Sequence, residues 1–268
     1  MRVAVIQLAY GDDESMPDRV ARAADLVRAQ AEADLVILPE LWSATGFGYR
    51  QWQERAEPLD GPIAQAMAAA AQDAGVLLHA GSMVERLAQP GAEGRDLANT
   101  SLIFAADGEL VATYQKVHRF GFGAGEPVLM EAGDTLSLIE VDDGQEAATL
   151  SLSTCYDLRF PELYRAQLDA GATVFLVPAA WPAARVEHWS LLGRARAMEN
   201  QCFLIAANTA GTHANTTMGG RSQVVAPDGE VLAEAGEAEE VLTVEVDLNR
   251  VALIREEFPV LNDRRWAD

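Results

Sequence analysis

The sequence predicts an α/β fold in a single domain spanning residues 1–268, built as a four-layer α-β-β-α sandwich with two mixed sheets. Short apolar, β-branched runs alternate with stretches of helical spacing, which is typical of layered α/β folds. Asp-Gly turns between apolar runs at 107–108 and 228–229 predict antiparallel hairpins, so neither sheet is expected to be purely parallel. The second half of the chain resembles the first in its order of strands, helices and hairpin. We therefore expect two sheets that pack face to face, with the helices outside.

In the first half, helical spacing occurs twice. Val20, Ala24, Val27 and Ala31 recur on one face of the first predicted helix. The second helix is rich in alanine and is expected to end at Gly75, because glycine commonly terminates helices. The predicted strands are 3–8, 34–38, 76–84, 100–106 and 109–114, and the predicted helices are 17–33 and 61–74.

The second half opens with a predicted pair of strands around a turn at 142–144. A helix with Pro161 at its first position follows, and the next helix is expected to bury Trp189, Leu192, Ala195 and Met198. The predicted strands are 136–141, 147–152, 173–177, 202–207, 222–226, 230–233 and 241–246, and the predicted helices are 161–170, 187–200 and 248–257.

The composition limits the possible partners. A chain of 268 residues that is 49% hydrophobic can bury a large core. A net charge of -21 repels phosphate backbones and anionic membrane surfaces, so no nucleic-acid or membrane partner is expected. Two cysteines make no disulfide framework, and the four histidines lack ligand-type spacing, so we expect no metal and no cofactor.

The first residues have the pattern of a strand rather than of a signal peptide. The longest nearly apolar run, 172–184, contains prolines and is too short to span a bilayer. These observations indicate a cytoplasmic protein.

Cys155 ends an apolar run and precedes a tight polar turn and a helix start. A strand that enters such a turn places the cysteine at the carboxyl edge of a sheet, where open α/β sheets bind ligands. The helix N-terminus behind it would favour a thiolate. A nucleophilic thiol is one interpretation and a buried structural cysteine is the other, because free cysteine is among the most buried residue types. Cys202, inside an apolar run, is assigned to the core.

Two further charged residues follow predicted strands. Glu40 comes after the strand 34–38, and Lys116 comes after the strand 109–114. Taken singly, each is typical of an exposed surface position. Because neighbouring strands bring their ends together, we expect these two side chains to converge with Cys155.

Three segments resemble the signature motifs of the nitrilase, or carbon-nitrogen hydrolase, superfamily: LPE at 38–40, YQKVH at 114–118 and CYDLRFPEL at 155–163. The likeness runs nearly end to end and is greatest to the omega-amidase and nitrilase-like amidase branches. It implies a Glu-Lys-Cys triad, here Glu40, Lys116 and Cys155, and a second glutamate between the lysine and the cysteine. Glu126 is preferred for that role by its position relative to 133–134, and Glu131 is its rival. The resemblance also implies a homo-oligomer built on a dimer, with contacts through the helices after the nucleophile and near the C-terminus.

Amide chemistry fits these residues. An amide needs a strong nucleophile, a proton shuttle and donors for the developing oxyanion. Cys155 would attack, Glu40 would move protons, and Lys116 with the Tyr156 N–H would hold the oxyanion, while Glu126 would position Lys116 and the substrate. Trp181 either walls the substrate pocket or simply packs in the core.

The expected function is therefore hydrolysis of a small linear carboxamide to carboxylate and ammonia through a cysteine thioester, with omega-amides of dicarboxylates among the candidate substrates. The Cys-Tyr-Asp context resembles amidases more than nitrilases. Three alternatives remain open at this point: N-carbamoyl or nitrile hydrolysis on the same fold, acyl transfer through the same thioester, and a non-catalytic α/β binding protein. Specificity is expected to lie in the loops 42–50, 121–131 and 180–185.

Overall fold

Across residues 1–142 and 147–266, which the computed structural model describes, the chain forms fifteen strands and seven α-helices. The strands are β1 (Arg2–Gln7), β2 (Leu35–Ile37), β3 (Leu77–Arg86), β4 (Leu97–Phe104), β5 (Leu110–Gln115), β6 (Met130–Glu131), β7 (Leu138–Asp142), β8 (Ala147–Leu152), β9 (Val174–Ala179), β10 (Phe203–Asn208), β11 (Thr212–His213), β12 (Thr216–Thr217), β13 (Gln223–Val225), β14 (Val231–Glu234) and β15 (Glu240–Glu245). The helices are α1 (Met16–Arg28), α2 (Trp52–Arg55), α3 (Pro62–Ala74), α4 (Glu126–Leu129), α5 (Pro161–Asp169), α6 (Val186–Asn200) and α7 (Arg250–Glu257). Short 3-10 helices cover Tyr49–Gln51, Cys155–Arg159, Ala183–Arg185 and Val260–Asp263.

Both large sheets are mixed, as predicted. The first has the order β15-β1-β2-β3-β4-β5, with β6 beside β4, and the second has the order β14-β13-β10-β9-β8-β7. In each sheet three central strands are parallel, β1-β2-β3 in one and β8-β9-β10 in the other, and antiparallel strands flank them. The two halves thus share one pattern of strand directions.

Four layers follow from where the apolar side chains lie. Between the sheets, Val3 and Ile37 of the first sheet share a buried cluster with Leu150, Leu176 and Ile205 of the second. Helices α1 and α3 cover the outer face of the first sheet, and α5 and α6 cover the outer face of the second. The architecture is therefore the predicted α-β-β-α sandwich.

Local sequence signals explain several element boundaries. The Ser15 side chain accepts a hydrogen bond from the Asp18 N–H and caps α1, and α3 ends at Gly75, whose φ of +69° is the left-handed conformation that glycine allows. Gly108 and Gly229 take positive φ in the two predicted hairpin turns. At the third predicted turn, 142–144, residues 143 and 144 lie outside the described residues.

The predicted buried face of α6 is wrong in part. Trp189 is buried, but Met198 is 57% exposed, and the helix instead buries small and polar residues that include Gly193 and Arg196. The Arg196 Nε donates to the Leu158 carbonyl, which satisfies its buried charge. At Gly193 the helix lies against the side-chain amide of Gln223, which a Cβ there would displace.

The helices of the described residues include none that is both long and apolar enough to cross a membrane.

Candidate active site

The strand ends predicted to converge do meet at one edge of the two sheets. Glu40 lies just beyond β2 and Cys155 just beyond β8. Lys116 follows β5, and Ala180 follows β9. Glu40, Lys116, Cys155 and Ala180 line one cavity, so residues far apart in the sequence share a single chamber.

Lys116 is buried between two carboxylates. Its Nζ donates to Glu40 Oε1 at 2.6 Å and to Glu126 Oε2 at 2.8 Å. Burial by itself disfavours the ammonium, but the charges of Glu126 and Glu40 outweigh it and raise the pKa of Lys116 well above its ordinary value. The lysine therefore stays cationic through the physiological range.

Glu126 stands at the start of α4, where Lys116 Nζ and the Asn99 side-chain amide donate to its carboxylate. The Phe120 N–H also donates to it. Burial and the Glu40 charge raise the pKa of Glu126, while Lys116 opposes that shift. A carboxylate so enclosed can orient the lysine but has little contact with bulk water.

Glu131, the rival for the second glutamate, lies elsewhere. Its carboxylate accepts hydrogen bonds from the backbone N–H groups of Glu93 and Arg95, the latter at 3.2 Å. It holds the loop before β4. The structure thus brings Glu126, and not Glu131, to Lys116.

Glu40 is fixed from two sides. The Ala180 N–H donates to its Oε2 at 2.8 Å, and Asn99 Nδ2 donates to its Oε1 at 2.9 Å. The backbone turn that carries it is set by Gly81, because a Cβ at Gly81 would lie 1.8 Å from the Pro39 carbonyl oxygen. Gly81 also has a φ of +68°. Glycine is therefore required where β3 passes this turn.

Cys155 occupies a strained position. It has a φ of +47°, unusual for a residue with a side chain, at the first position of a 3-10 helix that Thr154 and Asp157 cap reciprocally. Its thiol is buried and borders the same cavity as the Glu40 carboxylate. Backbone strain of this kind persists only where the surroundings enforce it, and it is concentrated at functional sites.

Cys155 does not have the lowered pKa that the expected thiolate would need. Burial and the Glu40 charge raise the pKa of Cys155 well above its ordinary value, and Lys116 only partly opposes them. The helix that was expected to favour the thiolate, α5, begins at Pro161 and is separated from the cysteine by the five-residue 3-10 helix. Because the electrostatic effect of a helix end falls off within about one turn, burial and the carboxylate dominate.

Asp157 joins the nucleophile turn to the lysine segment. Its Oδ2 accepts from the Tyr114 hydroxyl and the Thr154 N–H, each at 2.8 Å, and its Oδ1 accepts from the His118 N–H at 2.9 Å. Asp157 is fully buried. Three polar partners satisfy that carboxylate and fix the separation between Cys155 and the end of β5.

Asn99 and Asp157 were not singled out as functional from the sequence. Asn99 lies within the apolar strand β4, and a buried polar residue in such a strand is the one signal that could have identified it. Its Nδ2 bridges Glu40 and Glu126, the latter at 2.6 Å.

A second cavity adjoins the thiol on the side away from Lys116. Cys155, Phe47, Phe120 and Ala180 border both cavities, and each cavity has a volume of about 20 Å³. The lining of the second is completed by Tyr156, Arg159, Trp181, Pro182 and Arg185. The structure thus places Tyr156 and Trp181 beside Cys155 in one cavity.

Arg159 and Arg185 give the second cavity a positive charge. The Arg159 guanidinium lies 4.7 Å from the centre of a Trp181 ring, and burial together with the Arg185 charge lowers the pKa of Arg159. Neither arginine forms an ion pair with a carboxylate within residues 1–142 and 147–266. In a chain of net charge -21, two unpaired cations beside the nucleophile suit an anionic ligand.

In the part of the chain that the structure describes, no three His, Cys, Asp or Glu residues are grouped so as to hold a metal ion. Two of the histidines, His79 and His213, are buried, and burial lowers their pKa values to about 3 and about 4. Both imidazoles are therefore neutral at physiological pH.

The family model for carbon-nitrogen hydrolases matches residues 2–256. The chain is 42% identical over 268 residues to a 2-oxoglutaramate amidase of Paenarthrobacter nicotinovorans, covering 99% of this chain and 90% of that protein. It is 36% identical over 234 residues to a 2-oxoglutaramate amidase of Bacillus subtilis, covering 87% and 85%. It is 32% identical over 275 residues to a human omega-amidase, covering 98% and 95%.

Solved structures resemble the whole fold. A superfamily protein of Xanthomonas campestris, with an arsenic adduct in its active site, has a TM-score of 0.87 at 30% identity and covers 100% of this chain and 98% of its own. An amidase of Nesterenkonia, with acrylamide added at its active-site cysteine, has a TM-score of 0.80 at 27% identity and covers 97% and 99%.

Proposed function

The chain belongs to the carbon-nitrogen hydrolase family and is an amidohydrolase, and on that premise we propose that it hydrolyses the terminal amide of a dicarboxylic acid monoamide through a thioester on Cys155. The observation that carries the substrate class is the pair of unpaired arginines, Arg159 and Arg185, in the cavity beside the nucleophile. Relatives that are 2-oxoglutaramate amidases and omega-amidases support the same class.

In the proposed first step, Cys155 Sγ attacks the amide carbon while Glu40 takes the thiol proton. The raised pKa of Cys155 calls for such a base, and the contact with Glu40 provides it. The carbonyl oxygen becomes an oxyanion held by Lys116 Nζ and the Tyr156 N–H. The Tyr156 N–H lies in the first turn of a 3-10 helix, where backbone donors lack partners within the helix.

In the second step, Glu40 returns the proton to the amide nitrogen, the C–N bond breaks and ammonia leaves, so that a thioester remains. Water then attacks the thioester carbon and Glu40 accepts a proton from it. That proton passes to the sulfur as the C–S bond breaks, and the carboxylic acid product gives its remaining proton to ammonia or solvent to become the carboxylate. Lys116 keeps its proton throughout, because the two carboxylates raise its pKa. Glu126 acts by positioning Lys116.

The cavity on the Glu40 side limits the leaving group. Its volume is about 20 Å³, and Tyr49 and Trp52, whose rings meet edge to face at 4.8 Å, form part of its wall. It holds about one water-sized group, so ammonia fits this space. A primary amide, whose leaving group is ammonia, is therefore compatible with this side of the site.

Trp181 and Tyr156 are proposed to bind the acyl part of the substrate. Trp181 supports the Arg159 guanidinium by stacking, and its backbone N–H donates to Asn208 Oδ1 at 2.6 Å, which anchors it. Tyr156 meets Phe120 edge to face, which closes the opposite wall.

We also propose a homo-oligomer built on a dimer, located in the cytoplasm. Exposed apolar side chains on α6 and in the C-terminal segment supply a surface for a second copy: Leu191, Leu253, Phe258, Val260 and Trp266. Cys155 and Cys202 are both free thiols, which suits a reducing compartment.

The test is ammonia release from monoamides of four- and five-carbon dicarboxylates and from neutral amides of equal length. We expect Cys155→Ala to abolish release. We expect Arg159→Gln to raise KM for the anionic amides by about tenfold or more, because a charge-assisted pair is lost, and to leave KM for the neutral amides unchanged. Equal effects of Arg159→Gln on both classes would refute the substrate assignment. A folded wild type that binds the monoamides but releases no ammonia would support the non-catalytic binding protein.

A further inference from the structure

A cavity of about 560 Å³, far larger than the two beside Cys155, lies next to the catalytic chamber. Phe47 and Tyr49 belong to the walls of both, so this segment separates them. Three arginines, Arg19, Arg50 and Arg55, reach the large cavity.

The arginines of this cavity are poorly neutralised. Arg19 is buried and forms an ion pair with Glu14 at 3.3 Å. Arg55 donates to the Ala44 carbonyl and to Thr45 Oγ1, and neither it nor the exposed Arg50 has a carboxylate partner among residues 1–142 and 147–266.

The acidic residue in the lining is already engaged. Asp12 is the one carboxylate among the described residues of the wall, and both of its oxygens accept the Ala214 N–H at 3.0 Å. Burial and the Arg19 charge lower the pKa of Arg55, and the charges of Asp12 and Glu54 only partly oppose that shift. The cavity is thus locally cationic in a chain of net charge -21.

The same arginines hold the wall of the catalytic chamber. Thr45 has a φ of +73°, a strained value for a β-branched residue. Its Oγ1 accepts from Arg19 at 3.0 Å and from Arg55 at 2.7 Å, and its carbonyl accepts from the Gly48 N–H at 2.9 Å. A ligand that engages Arg55 would therefore act on the segment that carries Phe47.

We propose that this cavity is a second anion site, which binds a small organic or inorganic polyanion through Arg50 and Arg55 and is distinct from the substrate pocket at Arg159. Carboxylate and phosphate groups share the chemistry that such a site recognises, because guanidinium donors pair with both. The volume admits a ligand with two or more charged groups, which neither cavity beside Cys155 does without rearrangement.

The experiment is titration calorimetry with citrate and with pyrophosphate on the wild type, Arg50→Gln, Arg55→Gln and Arg159→Gln. We expect at least one probe to bind the wild type, about tenfold weaker binding in Arg50→Gln and Arg55→Gln, and unchanged binding in Arg159→Gln. Tighter binding of citrate assigns the site to carboxylates, and tighter binding of pyrophosphate assigns it to phosphates.

If Arg55→Gln does not fold, Arg50→Gln still tests the proposal, because Arg50 is an exposed residue of the cavity lining. A thermal melt of each variant controls for folding. Absence of binding by both probes to the wild type, or a loss of binding that is largest in Arg159→Gln, would overturn the proposal. Neither result bears on ammonia release, so the proposed amidase activity is tested separately.

Discussion

At the scale of single residues, the site depends on buried charges that satisfy one another. Lys116 neutralises part of the repulsion between Glu40 and Glu126, and Asn99 donates to both of them. Removing one member of such a group leaves the others buried without a partner, which costs more than the lost contact itself.

Asn99 is expected to position the two carboxylates. Asn99→Ala should lower kcat about 10- to 100-fold, because Glu40 loses one of the two donors that orient its Oε1 and keeps only Lys116. Asn99→Asp should in addition shift the acid limb of the kcat/KM profile to higher pH, since a third carboxyl raises the proton affinity of its neighbours. The measurement is the pH–rate profile of each variant beside its melting temperature. Lower stability with an unshifted profile in Asn99→Asp would mean that the residue is merely structural.

The buried thiol should make stability depend on pH. The folded pKa of Cys155 is raised, so below about pH 8.5 the thiol is protonated in both folded and unfolded states and its contribution is constant. Above that pH the unfolded chain loses the proton and the folded protein does not, so the free energy of unfolding should fall by about 1.4 kcal/mol per pH unit relative to Cys155→Ser.

Urea denaturation of the wild type and of Cys155→Ser between about pH 8 and pH 10 measures this difference. Cys202 is present in both proteins, so its contribution to the pH dependence of the free energy of unfolding cancels in the difference. Parallel stability curves would show that the thiol ionises normally in the folded protein.

At the scale of elements, the site is formed by turns that follow strands. A glycine in a neighbouring strand lets that strand approach such a turn closely. Glu40 and Cys155 each leave a parallel strand in a tight turn, and the two turns belong to opposite sheets. The sandwich therefore brings a base and a nucleophile together only because the sheets pack face to face.

Gly81 tests that arrangement, with Gly75 as a matched control. Both have φ near +70°, but a Cβ at Gly75 meets nothing within 4 Å, whereas one at Gly81 meets the Pro39 carbonyl oxygen at 1.8 Å. We expect Gly75→Ala to cost about 1 kcal/mol of stability and leave activity intact. Gly81→Ala should cost about 3 kcal/mol or more and lower kcat in the folded fraction, because Glu40 is displaced. If Gly75→Ala and Gly81→Ala lowered the melting temperature by the same amount and kcat by the same factor, the positive φ that both positions share would explain the effect. The close approach of Gly81 to Pro39 would then not matter.

At the scale of the whole molecule, each sheet alone has one face covered by helices and one face that needs the other sheet. The C-terminal segment has no such cover in the single chain, since Phe258 is 65% exposed and Leu253 is 58% exposed. This is the surface assigned above to a second copy.

Phe258→Ser and Leu253→Ser should shift the protein from dimer toward monomer in light scattering, because buried apolar area drives such interfaces. Val111→Ser removes another exposed apolar side chain, 45% exposed, from β5 and should leave the molar mass unchanged. A monomeric wild type, or a molar mass that none of the three changes, would contradict the proposed interface.

Much of the fold could be predicted from the sequence, because the signals involved are local. Period-2 and period-3.6 patterns identified most strands and helices, and Asp-Gly turns identified two hairpins. The sequence analysis missed the short pair of strands β11 and β12 and the four-residue helix α2. Its predicted buried face of α6 was wrong in part. The buried face of α6 depends on packing against distant segments, and the short elements contain too few residues for a periodic pattern to identify them.

By itself, the sequence determined the alternation of elements, the strand-end positions of Glu40, Lys116 and Cys155, and the family resemblance that joins them. Tertiary structure alone decided that Glu126 rather than Glu131 faces the lysine, and that burial and Glu40 raise the pKa of Cys155. It also decided that Asn99 bridges two carboxylates. The physical reason is that motifs and turns are properties of neighbouring residues, whereas proton affinity and hydrogen-bond partnership are set by burial and by charges that the fold brings from far along the chain.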